Sequence, residues 1–364
     1  MAAKYRVAII GTGRMGGLIE DELGAGGSFS KPYGHFSSYA AIEDTDVVAV
    51  ANRGEERLER FAKRFGITNT YLDYREMILK EQPDIVSITT PSLQRAEPII
   101  FCAENGVKGI YAEKGLSASL EEADRVAAAV RKHNVAFNWG ALRRHNVAYQ
   151  RLQNEIRDGA IGQPRYAVMS FATDLIKHHP HTIDLVEMLL GDPEPVWVQG
   201  ELIDPGHPLA PNRPLPTFDA ANHRYVAPEG REIGDPWVGT FQVRYANNAD
   251  GLFLSVPGPW EIDVYGTEGR AFARETGNLF GLYKPDRKNG TWTTTTFQPG
   301  GESPTICTIR EIIREIETGQ RTEGNIDVTM RAVEQQFALA HSHLQGGARV
   351  SIPVADRSLY IPGG

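Results

Sequence analysis

Val7-Ala8-Ile9-Ile10-Gly11-Thr12-Gly13-Arg14-Met15-Gly16 is the stretch on which the fold turns. A short β-branched run stops on glycine, and the glycines then recur as G-x-G-x-x-G. The pattern reads as a strand, a tight turn and a helix over 17–23. In such a unit the first glycine permits the turn and the second lets backbone approach a pyrophosphate. The third lets helix and strand pack closely. Free N–H groups and partial positive charge at the helix start then face the phosphates. Gly11, Thr12, Gly13, Arg14, Met15 and Gly16 are therefore expected to bind a dinucleotide. The plain alternative is a strand-to-helix turn without a ligand, but the turn stands at the head of a long alternating region.

Working outward, short apolar runs at 7–10, 47–51, 85–89, Gly109–Ala112 and 135–139 alternate with helical periodicity. Each run is nearly continuous in apolar character, as strands covered on both faces are. Glu55–Phe65 places Leu58, Phe61, Ala62 and Phe65 on one stripe, and Ser119-Leu120-Glu121-Glu122 is a capping box for a helix through Val130. Beyond residue 140 the texture changes. A helix over 148–157 leads to strand-like runs at 166–171, 196–202, Trp237–Tyr245, 252–256 and 261–265, with the alternation of a largely antiparallel sheet. Helices over 305–317 and 327–344 follow. The expected architecture is an α/β Rossmann dinucleotide-binding domain over 1–140, followed by an α+β domain over 141–364 with an open, mostly antiparallel sheet. A stretch from Asp204 to Pro236 carries seven prolines and little periodicity. Loops this long serve function or assembly, and a substrate-side lid and an oligomer arm both fit.

The second strand ends in Asn52-Arg53, where NAD-preferring sites place a carboxylate on the ribose hydroxyls. Asp44 and Asp46 sit at the strand's opposite end. Residues 24–38, rich in Gly and Ser, read as an insertion before this strand. Without a carboxylate nothing repels a 2′-phosphate, and a guanidinium can pair with it bidentately. NADP(H) is the expected cofactor, with Asn52 and Arg53 reading the phosphate and Arg57 assisting. NAD stays open, as does a plain stacking role of Arg53 on adenine. At the third strand end, Thr89-Thr90-Pro91 turns the chain over the place where ligands bind in open parallel sheets.

Tyr111-Ala112-Glu113-Lys114-Gly115-Leu116-Ser117 adds the chemistry. With the glycine turn, Thr89-Thr90-Pro91 and His181-Thr182-Ile183-Asp184, it resembles the glucose-fructose oxidoreductase/inositol dehydrogenase family (Gfo/Idh/MocA), in order along essentially the whole chain. The resemblance implies oxidation or reduction of sugars, inositols or related polyols, and an open sheet that often makes oligomer contacts. It implies that Lys114 contacts the reacting hydroxyl or carbonyl, that Glu113 fixes cofactor geometry, and that His181 moves the proton. Lys177, His178 and Asp184 are the expected substrate-binding side chains. Two departures stand out. Gly115 replaces the family's proline, loosening the turn. Lys177 stands where many dehydrogenase members have aspartate four residues before the histidine. A second lysine would depress the pKa of its neighbour or attract an anionic substrate such as a sugar acid; a shifted register would leave it solvated.

Pro180 suits a first helical position, with Ile183, Val186 and Leu190 forming the stripe and Gly191 the stop. A positive helix end would keep His181 neutral and able to accept a proton. His178, His179 and His181 with Asp184 contain metal-ligand chemistry, but adjacent histidines rarely converge on one ion, and no metal is expected. His341 and His343 read as residues of a solvated helix face. Asn138 and Trp139 end the fifth strand, where the resemblance places the nicotinamide, and Arg143, Arg144 and Tyr149 follow it towards the cleft.

Composition bounds the partners. The 364 residues carry a net charge of −8 without a basic stripe, so nucleic acid and anionic membrane surfaces are not expected. Cys102 and Cys307 are far apart and read as reduced core thiols. The apolar run after Met1 is too short for a signal-peptide core, and no stretch approaches the about 18 residues of a membrane span. A cytoplasmic homo-oligomer, dimer or tetramer, acting on a small carbohydrate-like molecule is the expectation. Two other readings share these residues. One is a relative that transiently oxidises a glycoside with bound cofactor to cleave it; the other is a non-enzymatic dinucleotide-dependent ligand sensor.

Overall fold

The computed structural model describes residues 5–23, 30–286 and 288–364. The chain forms two compact units. The first comprises residues 1–117, 121–145 and 302–329, and the second 118–120, 146–301 and 330–364. The stretch 302–329 thus returns to the first unit after an excursion of more than 150 residues.

In the first unit the elements are β1 (Tyr5–Ile10), α1 (His35–Ala40), β2 (Thr45–Ala51), α2 (Glu55–Phe65), β3 (Thr70–Tyr71), α3 (Tyr74–Glu81), β4 (Ile85–Ile88), α4 (Ala96–Glu104), β5 (Gly109–Ala112), α5 (Leu120–Lys132) and β6 (Ala136–Trp139). The six strands are all parallel, in the order β3-β2-β1-β4-β5-β6. That is the doubly wound order of dinucleotide-binding sheets. Strands β4, β5 and β6 are buried at every residue, which explains their unbroken apolar sequences. β3 is a two-residue edge strand, too short to leave a periodic signal.

Helix α8 (Pro304–Thr318) packs on β5 and β6. Its Ile306, Ile309, Ile312 and Ile313 share one core with Val7, Ile85 and Tyr111. Gly109 lets the helix close on the strand, because a Cβ there would lie 2.6 Å from an Ile312 methyl. Ser303 caps α8 by accepting from Ile306 N, and Pro304 occupies its start.

The expected helix over 17–23 does not form. Arg14–Leu18 is a single wide turn, Gly17 is extended (φ 173°), and Ile19–Asp21 is a 3₁₀ turn. Two consecutive glycines pay no side-chain reward for helical geometry and break it. Tertiary contacts hold the segment instead. Arg64 on α2 grips both Asp21 oxygens at 2.6 and 2.7 Å, and Gly17 lies against the rings of Phe61 and Phe65. Of the stretch 24–38 that reads as an insertion, residues 24–29 lie outside the described residues, and its end begins α1.

The second unit contains α6 (Val147–Arg157), β7 (Pro164–Ser170), α7 (His179–Leu189), β8 (Pro195–Ile203), β9 (Thr217–Asp219), β10 (Arg224–Val226), β11 (Trp237–Tyr245), β12 (Asp250–Leu254), β13 (Glu261–Gly266), β14 (Arg270–Arg274), β15 (Leu279–Asp286), β16 (Thr291–Phe297) and β17 (Val350–Ser351). Helix α9 (Ile326–Leu344) starts in the first unit and runs into the second. Nine strands form one sheet, β16-β15-β14-β13-β7-β12-β11-β8-β17. Only β7 and β12 pair in parallel; the other neighbours are antiparallel. The proline-rich stretch is not featureless, because β9 and β10 form a hairpin within it. No helix among the described residues is long and apolar enough to cross a membrane.

Candidate functional site

The glycine turn is shaped as a cradle. Gly11 has φ +101°, and a Cβ there would lie 2.7 Å from the Thr89 hydroxyl. A Cβ on Gly16 would lie 2.5 Å from the Gly11 carbonyl oxygen, whereas one on Gly13 would meet nothing within 4 Å. Thr12 is fully buried, and its Oγ1 has no hydrogen-bond partner among the described residues. An open backbone face beside an orphaned hydroxyl fits a phosphate-bearing ligand. Arg14 is exposed and pairs with Glu22 at 2.6 Å, and Met15 is half-buried.

Asn52 is engaged within the protein. Its Oδ1 accepts from Thr12 N at 3.4 Å, and its Nδ2 donates to the Gly54 carbonyl at 2.9 Å. Arg53 and Arg57 are exposed at the β2 end. Thr89 ties β4 to the cradle, its hydroxyl donating to the Gly11 carbonyl at 2.7 Å. Pro91 caps a 3₁₀ turn over Ser92–Gln94.

At the end of β5, Glu113 is buried with its carboxylate held from three sides. His35 Nε2 lies 3.2 Å from Oε1, Lys114 Nζ 3.5 Å from Oε2, and the Lys114 backbone N–H donates to Oε2 at 3.4 Å. Burial alone pushes this carboxyl up. The Lys114 charge, the His35 hydrogen bond and the Arg95 charge outweigh it and hold the group down at about 2. Gly140 makes room, since a Cβ there would lie 2.9 Å from Oε1. The His35 ring stacks on Tyr111 at 4.1 Å, and its Nδ1 meets Ser87 Oγ at 2.8 Å. Lys114 keeps 14% of its side chain exposed, so the ammonium is sheltered yet reachable.

Arg95 links the two strand ends. It is buried, and its guanidinium donates to the carbonyls of Thr90 and Gly115. Burial lowers its pKa to about 10, with Glu113 acting in the opposite sense. Sequence reading found neither His35 nor Arg95. Asn138 and Trp139 are buried, and Asn138 Nδ2 donates to Glu311 at 3.3 Å.

In the second unit, α7 opens at the histidine run, with Pro180 in its first turn. Every residue of α7 is buried, so the expected single stripe becomes an enclosed helix. His181 is 7% exposed, its ring 5.9 Å from that of Trp260. Asp184 lies one turn on, fully buried. His179 points into the core between Phe241 and Phe253, with Nδ1 2.8 Å from Thr182 Oγ1. Burial, with His178 adding to it, lowers its pKa to about 3, so it stays neutral.

Lys177 has an exposed side chain, while its backbone N–H donates to Asp235 at 2.8 Å. Ile176 N donates to the other Asp235 oxygen at 2.9 Å. His178 Nδ1 lies 3.1 Å from Asp174, which also pairs with Arg213 from the proline-rich stretch. Arg213 lies over the Trp237 ring. The i, i+4 spacing of Asp174 and His178 was readable in the sequence; Arg213 and Asp235 carried no such signal. Tyr149, Arg143 and Arg144 are buried. Cys102 is buried as expected of a core thiol, whereas Cys307 is partly exposed.

A six-stranded parallel sheet in this order, with a glycine cradle at the end of its first strand, defines a Rossmann dinucleotide-binding unit. Residues 5–140 match the family model described as "Oxidoreductase family, NAD-binding Rossmann fold" (GFO_IDH_MocA), and over these residues the chain is of the Gfo/Idh/MocA type. It is 26% identical over 159 residues to myo-inositol 2-dehydrogenase of Thermotoga maritima, covering 44% of this chain and 42% of that protein. To scyllo-inositol 2-dehydrogenase (NAD(+)) of Bacillus subtilis it is 30% identical over 207 residues, 52% of this chain and 55% of the relative. The chain thus spans about half the length of these two relatives. Levoglucosan dehydrogenase, solved with NADH and levoglucosan, superposes with a TM-score of 0.77 over 96% of this chain and all of that one, at 20% identity. That likeness concerns the fold.

Proposed function

We propose that this protein is a dehydrogenase or reductase of sugars, polyols or sugar acids, with NADP(H) preferred over NAD(H). The observation that carries it is the linked crest of the first unit. The cradle, the Thr89–Pro91 turn and the segment that follows Glu113–Lys114 are joined beyond the carboxyl ends of β1, β4 and β5 by Thr89 and Arg95. The names of the inositol dehydrogenases support the substrate class.

A bound nicotinamide would supply hydride transfer at its ring. The backbone of Gly11–Gly16 would hold the pyrophosphate, with the Thr12 hydroxyl as a further donor. Lys114 would polarise a substrate carbonyl or steady a developing alkoxide. Glu113 would hold that ammonium in place through their ion pair at 3.5 Å. His181 would take up or deliver the hydroxyl proton, with Asp184 orienting it, and Lys177 and His178 would bind substrate. In this reading the second unit supplies the substrate and oligomer surfaces. Arg53 is exposed and has no ion pair among the described residues, which leaves its guanidinium available for a 2′-phosphate.

The test is an absorbance screen at the nicotinamide band of polyols, aldoses and sugar acids with each cofactor. Turnover with NADPH or NADP at higher kcat/KM than with NADH or NAD is expected, and failure to bind either cofactor would overturn the reading. Arg53→Ala should lower kcat/KM for NADP(H) by about 10- to 100-fold and leave NAD(H) unchanged, as loss of a charge-assisted pair predicts.

A further inference from the structure

Three segments distant in sequence meet at His223, His341 and Asp356. His223 directly precedes β10 in the proline-rich stretch, His341 lies near the end of α9, and Asp356 belongs to the C-terminal tail. Each offers one ligand atom, and these atoms all lie within 4.8 Å of one another. This corrects the reading of His341 as solvated: it is buried, and its Nε2 lies 3.1 Å from the Asp356 carbonyl. His343, two residues on, faces Asp204 at 3.3 Å and is not part of the group.

The corner is built to present these atoms. Asp356 Oδ1 accepts from the Ser358 N–H and hydroxyl at 3.0 and 2.7 Å, which turns Oδ2 towards His223. His223 Nε2 is enclosed and lies 2.9 Å from that oxygen, yet it makes no hydrogen bond there among the described residues. The backbone of His223 is left-handed (φ +48°), a conformation that side-chain-bearing residues rarely adopt. The tail fixes it there, since Tyr225 N donates to Tyr360 O at 2.8 Å and Tyr360 N to His223 O at 3.4 Å. An enclosed imidazole nitrogen that faces a carboxylate without bonding it is poorly served by a plain ion pair.

We propose that His223, His341 and Asp356 bind a divalent transition-metal ion, zinc foremost, which clips the proline-rich excursion to the last helix and the C-terminal tail. Two imidazoles and one carboxylate are a borderline ligand set suited to zinc, with water completing a tetrahedron. Zinc–nitrogen bonds of about 2.0–2.1 Å put ligand atoms about 3.4 Å apart, so no pair need draw in by more than about 1.4 Å, and His223 Nε2 and Asp356 Oδ2, now 2.9 Å apart, need only open slightly. The His223 and Asp356 side chains, 38% and 49% exposed, have the freedom to do so and leave a path for the ion. The metal acts as a staple, uses none of the residues assigned to hydride transfer, and its existence does not depend on that assignment.

The test uses the full chain stripped of metal and titrated with Co(II) and then Zn(II). One equivalent of Co(II) should bind with the intense visible bands of four-coordinate geometry and be displaced by zinc. His223→Ala and Asp356→Asn, both at partly exposed positions, should each weaken uptake by at least about 10-fold. Zinc should raise the Tm of the wild type and protect residues 217–226 from protease, and should do neither in His223→Ala. No stoichiometric uptake by the wild type, or uptake unchanged in both variants, would overturn the proposal. So would uptake lost in His178→Ala, which would move the ion to the histidine run of α7.

Discussion

Glu113 is a carboxylate kept charged where water does not reach, and its charge is compensated by groups from three parts of the first unit. Its pKa in the folded chain is about 2, against an ordinary 4.5, so between those values the unfolded chain binds the extra proton. The stability it contributes is therefore present above about pH 4.5 and is lost as pH falls towards 2. The difference is on the order of 3 kcal/mol. Urea unfolding of Glu113→Gln should accordingly show a flatter decline from pH 5 to pH 3 than the wild type; equal slopes would refute the assignment. For Lys114→Ala, the proposed role predicts a kcat lower by about 100- to 10,000-fold with little change in cofactor Kd. Rapid-mixing kinetics and a fluorescence titration would separate the two. Glu113 and Lys114 were legible because they form one contiguous string. His35 was not, because its partner lies 78 residues away and nothing local marks a histidine that stacks on Tyr111.

Among the elements, the glycine turn shows where pattern reading succeeds and where it stops. The spacing of Gly11, Gly13 and Gly16 identified the cradle, because Gly11 and Gly16 meet steric requirements that only glycine satisfies and Gly13 leaves its backbone face open. The expected helix over 17–23 does not form, because the G-x-G-x-x-G pattern implies a helix after the turn while Gly16-Gly17 break one. The three glycines predict different phenotypes. Gly16→Ala drives a methyl towards the Gly11 carbonyl, so both Tm and cofactor affinity should fall. Gly13→Ala meets no protein atom, so Tm should hold while cofactor Kd rises by about 10-fold or more, the methyl standing where a phosphate must approach. Scanning calorimetry with cofactor titration distinguishes them, and a matching loss of Tm in both would contradict the cradle geometry. Helix α7 taught a related lesson: a stripe of Ile183, Val186 and Leu190 implied one covered face, yet Asp184 and Glu187 are buried as well. Polar residues enclosed by partners such as Arg331, which approaches Glu187 at 3.6 Å, look solvated in a one-dimensional pattern.

For the molecule as a whole, the change of texture near residue 140 marked where the first unit is left, but not the return over 302–329. An amphipathic helix carries no label for the sheet it covers. The return matters energetically, because four buried isoleucines of α8 contribute roughly 1.5–3 kcal/mol each. Their sum is comparable with the about 5–15 kcal/mol that holds a typical domain together. A fragment of residues 1–145 should therefore lack a cooperative thermal transition, and joining 302–329 to it through a flexible linker should restore one. A sharp transition in the shorter fragment would show that α8 is dispensable. The same return has a consequence in time. A ribosome adding about 5–20 residues per second needs roughly 10–40 s more, after residue 145 is made, to reach residue 329. For that interval the nascent β5 and β6 are without their covering helix, so this unit, although its strands are made before the second unit, is completed only after most of the second has been made, with apolar sheet surface uncovered meanwhile.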